Sequence, residues 1–133
     1  MRIGVDIMGG DYAPDATLLG AALARKELPD DIELVLFGDQ NSIEDIVTRE
    51  GYDPSGFIVF HTPHTIRMED HPARVFTEKP DSGIAIGLRM LKQGELDGFA
   101  SIGNTGAMLV GSMQIVNSIP FSMSARISSW REL

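Results

Sequence analysis

A chain of 133 residues, 43% hydrophobic and 23% charged, is the size of one domain and can bury one core. It has no cysteine, which excludes disulfides and thiolate-held metals and fits a cytoplasmic protein. A formal net charge of −8 without a basic patch argues against nucleic acid, and no apolar run reaches the ~18 residues that would cross a bilayer.

The first residues carry one arginine and a short apolar run, then glycines and aspartates, which is not the pattern of a secretory signal. Arg2 to Ile7 is continuous rather than alternating, as in a strand buried on both faces. Met8-Gly9-Gly10-Asp11 follows as a glycine turn. From Asp15 the period changes: Leu18, Leu19, Ala22 and Leu23 predict a helical stripe, with Asp15 as its N-cap. Pro29-Asp30-Asp31 is a breaker. Ile32 to Phe37 is the second strand, ended by Gly38-Asp39. Ser42 is the expected cap of the next helix, with Ile43, Ile46 and Val47 inward and Gly51 just past its end. Phe57 to Phe60 is the third strand.

His61 to Pro80 holds three prolines and no sustained periodicity. It reads as a long loop with one helical turn near Ala73, and such loops inside small domains are often functional. Ser82 opens a helix with Ile84, Leu88 and Leu91 inward, ended by Gly94. Phe99 to Ile102 is the fourth strand, Gly103-Asn104-Thr105-Gly106-Ala107 a second glycine turn, and Ala107 to Val116 the fourth helix. The order β-α-β-α-β-loop-α-β-α predicts a doubly wound, mainly parallel α/β sheet in three layers, Rossmann-like, over residues 1–120. Residues 121–133 form an atypical tail: Met123, Ile127 and Trp130 can line one face of a terminal helix, or the tail is foreign to the fold.

Both glycine turns follow strands, so both are expected at the C-terminal edge of the sheet, where such folds bind ligands. Gly103 to Ala107 opens a helix whose first N–H groups and dipole favour a phosphate or carboxylate, with Asn104 or Thr105 as cap. The plain alternative is a tight turn that binds nothing, and the turn physics favours the anion by roughly two to one. For Gly9, Gly10 and Asp11 the ligand and the local turn weigh equally. Asp6 ends a buried strand, either as a functional carboxylate or as a hydrogen-bonded structural one. Lys79, before the cap candidates Asp81 and Ser82, can add a point charge to the anion, although a surface lysine before an ordinary cap is slightly favoured on these residues alone. His61, His64 and His71 with Glu69 and Asp70 lack metal-ligand spacing, so a loop-ordering role is expected and no metal. His64 and Glu69 have the spacing of a His-x-x-x-x-Asp catalytic base but the wrong acid. Met108 and Met113 read as core.

Met1-Arg2-Ile3 through Asp6, Met8-Gly9-Gly10-Asp11 with Ala13-Pro14, His61 to Asp70, Pro72, Lys79, Asp81-Ser82 and Gly103 to Ala107 resemble, in order and rough spacing, the bacterial phosphate acyltransferases (the PlsX family). The resemblance covers about residues 1–120 and departs at Lys79-Pro80-Asp81-Ser82-Gly83, where the family commonly has a Lys-Lys-Asp-Ser-Ser-like segment. It stops after Pro120, although family members are longer, and this favours a foreign tail on a chain cut short. It implies a phosphotransacetylase-like fold and an enzyme that moves a fatty acyl group from acyl-carrier-protein thioester to inorganic phosphate, for phospholipid synthesis in the cytoplasm. It implies no cofactor, a homodimer, and catalytic roles for Lys79 and Asn104. Gly103, Thr105, Gly106, Ala107, Asp81, Ser82, Asp6, Gly9, Gly10 and Asp11 then line the phosphate or substrate. Acyl carrier protein is acidic, like this chain, so its dock lies on Arg67, Arg74 and Lys79 or in a part of the family absent here. The alternatives are a non-catalytic phosphate-binding domain and a coenzyme A-dependent phosphotransacetylase-like enzyme.

Overall fold

The computed structural model describes residues 1–117; the predicted tail lies outside the described residues. Strand β1 (Arg2–Asp6) is central. It pairs in parallel with β2 (Glu33–Gly38) on one side and β4 (Gly98–Ala100) on the other, and β3 (Phe57–His61) pairs with β2. The order β3-β2-β1-β4 makes all four strands parallel, so their C-terminal ends share one edge.

Residues alternate across β2, and so do its partners. Leu36 joins Ile7, Leu18, Ala21, Ile43 and Ile46 in one core cluster, built with α1 (Asp15–Glu27) and α2 (Gln40–Glu50). Val35 and Phe37 face the other way, against Leu96, Ile86 and Met90 of α4 (Gly83–Lys92) and its following turn. Phe37 is fully buried and meets Phe99 edge-on at 5.7 Å. Helix α5 (Thr105–Gly111), continued by one π turn at Ser112–Val116, packs with α4 and the short α3 (Val75–Glu78) around Ile84, Leu88 and Ala107. Three layers result, as the order of elements predicts.

Four local expectations are corrected. Asp15 is the first residue of α1 rather than its cap: Pro14 holds the cap position, and the Asp15 carboxylate pairs with Arg49 of α2. Leu19 and Leu23 are 46% and 54% exposed, whereas Ala21 and Ala22 are buried, because small side chains let α1 lie close to the sheet. The cap of α2 is Asp39, not Ser42. Its carboxylate accepts both the Ser42 N–H at 2.9 Å and the Ser42 hydroxyl at 2.6 Å, which holds it below the usual carboxylate range. The helical turn expected near Ala73 lies two residues later, at Val75–Glu78, where Val75 can reach the core.

Candidate functional site

The two glycine turns meet at the C-terminal edge of the sheet. A Cβ on Gly9 would stand 2.6 Å from Asp6 Oδ2 and 3.0 Å from the Cα and N of Gly103. A Cβ on Gly103 would stand 3.2 Å from Gly9 Cα. Only residues without side chains allow backbones this close. Gly10 follows at φ 102°, with the Ile102 side chain against it.

Asp6 lies beneath this contact, 5% exposed. Its Oδ1 accepts the Met8 N–H at 3.1 Å, its Oδ2 accepts the Ser101 hydroxyl at 2.8 Å, and the Gly9 N–H also points to it. Ser101 Oγ in turn accepts the Gly103 N–H at 3.1 Å. Burial pushes the Asp6 carboxyl above its ordinary range, and the bonds from Ser101, Met8 and Gly9 pull it partly back.

Asn104 joins the second turn to the long loop. Its Oδ1 caps α5 by accepting the Ala107 N–H at 3.0 Å. Its Nδ2 donates to the carbonyls of Arg67 at 3.0 Å and Asp70 at 3.1 Å. Both side-chain N–H groups are thus spent on the loop, whereas the resemblance implies a catalytic role for Asn104. A Cβ on Gly106 would stand 2.6 Å from Pro72 Cγ, so the loop also packs on the turn. Lys79 secures the same loop: its Nζ donates to Asp70 Oδ2 at 2.6 Å and to the Thr65 carbonyl at 3.0 Å. The lysine holds the Asp70 carboxyl below the usual range.

Ser82 is fully buried and caps α4 through the Ala85 N–H at 3.2 Å. Asp81, Asp11 and Thr105 are exposed at the same edge of the fold. The histidines serve the backbone: His61 Nδ1 accepts the Gln40 N–H and His71 Nδ1 the Ala73 N–H, both at 3.1 Å, while His64 bridges to Ser82. Among the described residues no cluster of histidine and carboxylate side chains is arranged to hold a metal ion. No helix among them is long and apolar enough to cross a membrane.

An inventory of amides defines what the second turn can bind. The Gly103 N–H goes to Ser101, and the Ala107 and Met108 N–H groups go to the Asn104 side chain and carbonyl. The N–H groups of Asn104, Thr105 and Gly106 have no partner among the described residues. Three consecutive free amides at a helix start suit an anion. Two hollows, of about 780 and 530 Å³, lie away from these turns, one under Arg25 and Tyr52, the other between α2 and β3. Neither has the converging amides of the glycine turns. The sequence carries no signal for Ser101 or Thr65, since nothing local marks a serine after a strand or a carbonyl that meets a lysine 14 residues on.

Residues 1–122 match the family described as "Fatty acid synthesis protein". The chain is 43% identical over 119 residues to a phosphate acyltransferase of Caldicellulosiruptor bescii, covering 90% of this chain and 35% of that one. Similar proteins of the same name occur in Thermoanaerobacterium thermosaccharolyticum, at 41% identity and 34% of its length, and in Herpetosiphon aurantiacus, at 39% and 32%. The chain therefore spans about a third of the length of the curated relatives it matches.

Proposed function

The chain belongs to the fatty acid synthesis protein family, and from that premise we propose that it is the N-terminal part of an acyltransferase moving a fatty acyl group from acyl-carrier-protein thioester to inorganic phosphate. The observation that carries this reading is the meeting of the two glycine turns beside three free amides. A phosphate oxygen attacks the thioester carbonyl, a C–O bond forms, the C–S bond breaks, and the thiolate leaves. Phosphate is itself the nucleophile, so the protein's task is to hold a dianion and aim it. The Asn104, Thr105 and Gly106 amides suit the dianion. Lys79 and Asn104 act on it by fixing the loop of residues 61–80 over the turn. Arg67 and Arg74 are exposed on that loop and offer positive charge to an acidic carrier protein.

One observation favours a second reading. The polar groups of Lys79 and Asn104 are mostly engaged inside the protein, as in a domain that binds phosphate without turning it over. A chimera separates the two. The 119 aligned residues of this chain replace their counterparts in the Caldicellulosiruptor bescii protein, and acyl-phosphate formation is assayed. The expected result is turnover by the chimera and little by the 133-residue chain alone. Lys79→Ala should cut chimera turnover by roughly tenfold, the scale of one charge-assisted bond, and Lys92→Ala, exposed at the end of α4, should leave it unchanged. An inactive but phosphate-binding chimera would favour the binding domain.

A further inference from the structure

We propose that Asp6 is a positioning residue for the anion turn: through the Ser101 hydroxyl it holds the Gly103 N–H inward and leaves the next three amides to the ligand. The proposal rests on reading those amides as an anion site, and goes beyond it by assigning the residues that set their direction.

A serine hydroxyl has one proton. Given to Asp6 Oδ2 at 2.8 Å, that proton leaves the oxygen's lone pairs free for the Gly103 N–H, at 3.1 Å. Every group that bonds the carboxylate, namely Met8 N–H, Gly9 N–H and Ser101 O–H, is a donor, so the ionised acid is the matched form. The relay joins residues 95 apart in sequence and ties the two glycine turns into one unit. It lies where the backbones of Gly9 and Gly103 touch, so a small shift at Asp6 has no slack to absorb it.

Protonating Asp6 puts a proton on an oxygen that now only accepts, and Ser101 must turn. Burial places this titration above the ordinary carboxylate range. A Cβ on Gly83 would stand 3.4 Å from Asp6 Oδ1 and Phe37 Cβ and 3.6 Å from Thr62 Oγ1, so the neighbours there carry no charge. Of the titratable groups on the neighbouring connections, Asp11, His61 and Asp81 are exposed and Asp39 is engaged with Ser42. The folded carboxyl keeps its proton longer than the unfolded one. Its stabilising contribution is therefore full below the unfolded pKa and is lost as pH rises through the folded value.

The test is a pH titration of the 133-residue chain followed by backbone amide NMR, without phosphate. Met8, Gly9 and Gly103 should share one midpoint, above the ordinary range of an aspartate. Ser101→Ala should leave Met8 and Gly9 titrating and silence Gly103, and Ser101→Thr, which keeps the hydroxyl, should restore it. Asp6→Asn should silence all three; should that variant fail to fold, the Ser101 pair carries the test. A Gly103 amide that still follows the titration in Ser101→Ala overturns the relay. A second arm adds inorganic phosphate, which Ser101→Ala should bind roughly three- to tenfold more weakly, the equivalent of one hydrogen bond. Equal affinity overturns the positioning role. An intact relay in a wild-type chain that binds no phosphate overturns instead the anion reading on which the role depends.

Discussion

Asn104→Ala is expected to cost about 2–4 kcal/mol and to release the loop of residues 61–80 from the sheet edge. The side chain makes three bonds: it caps α5 at Ala107, and it donates to the carbonyls of Arg67 and Asp70. Losing a cap costs about 1 kcal/mol. Each lost bond to the loop removes about 1 kcal/mol, and more where the stranded carbonyl stays buried. Asn104 is 5% exposed, so water cannot readily replace it. The loss should be local as well as global. Hydrogen exchange should speed at the Ala107 amide and across Arg67 to Lys79, while β1 and β2 keep their protection relative to the new global stability. A loop unchanged in exchange would show that Pro72 and the Lys79–Asp70 pair suffice to hold it. Asn104→Asp keeps the cap oxygen and loses both donors, so it should lose the loop and retain α5.

Gly9→Ala should cost about 1–3 kcal/mol, the usual penalty of overpacking, and should abolish most phosphate binding. The added methyl would stand 2.6 Å from Asp6 Oδ2 and 3.0 Å from the Gly103 backbone. Asp6 Oδ2 is buried and held by the Ser101 hydroxyl, and the Gly103 atoms are backbone, so none can move aside cheaply. The turns must part, which stretches the relay from Asp6 through Ser101 to Gly103. Thermal unfolding gives the first quantity and phosphate titration the second. Gly20→Ala, on α1 with nothing within 4 Å of the added atom, is the control and should be neutral or slightly stabilising. A Gly9→Ala chain that binds phosphate as tightly as wild type would mean that the first glycine turn serves only the chain's direction.

The order of elements was legible because each strand is a short apolar run and the starts of α2, α4 and α5 carry a capping residue. Asn104 and Ser82 cap as their positions suggest. The cap of α2 was misplaced because Asp39 and Ser42 bond each other, and their sequence does not say which is the cap and which the first-turn donor. The α1 stripe was misread because leucine weighs more than alanine in a hydrophobic pattern, while the close approach to the sheet needs alanine at 21 and 22. That both glycine turns lie at the C-terminal edge was legible from parallel topology; that they touch follows from β1 and β4 being neighbours, which no local pattern states. What their polar side chains do was not legible either. Asp6 and Ser101, Asn104 and Arg67, and Lys79 and Thr65 are pairs distant in sequence, and each fills hydrogen-bonding capacity that a local reading assigns to a ligand.

The central claim is that the free amides at the start of α5 hold an anion. Titrating the 133-residue chain with inorganic phosphate, with backbone amide NMR as readout, tests it most directly. The Asn104, Thr105 and Gly106 amides should move most and saturate together, while Gly103 and Ala107, already bonded to Ser101 and Asn104, should move less. Saturating shifts centred elsewhere, with those three amides unmoved, would contradict the account.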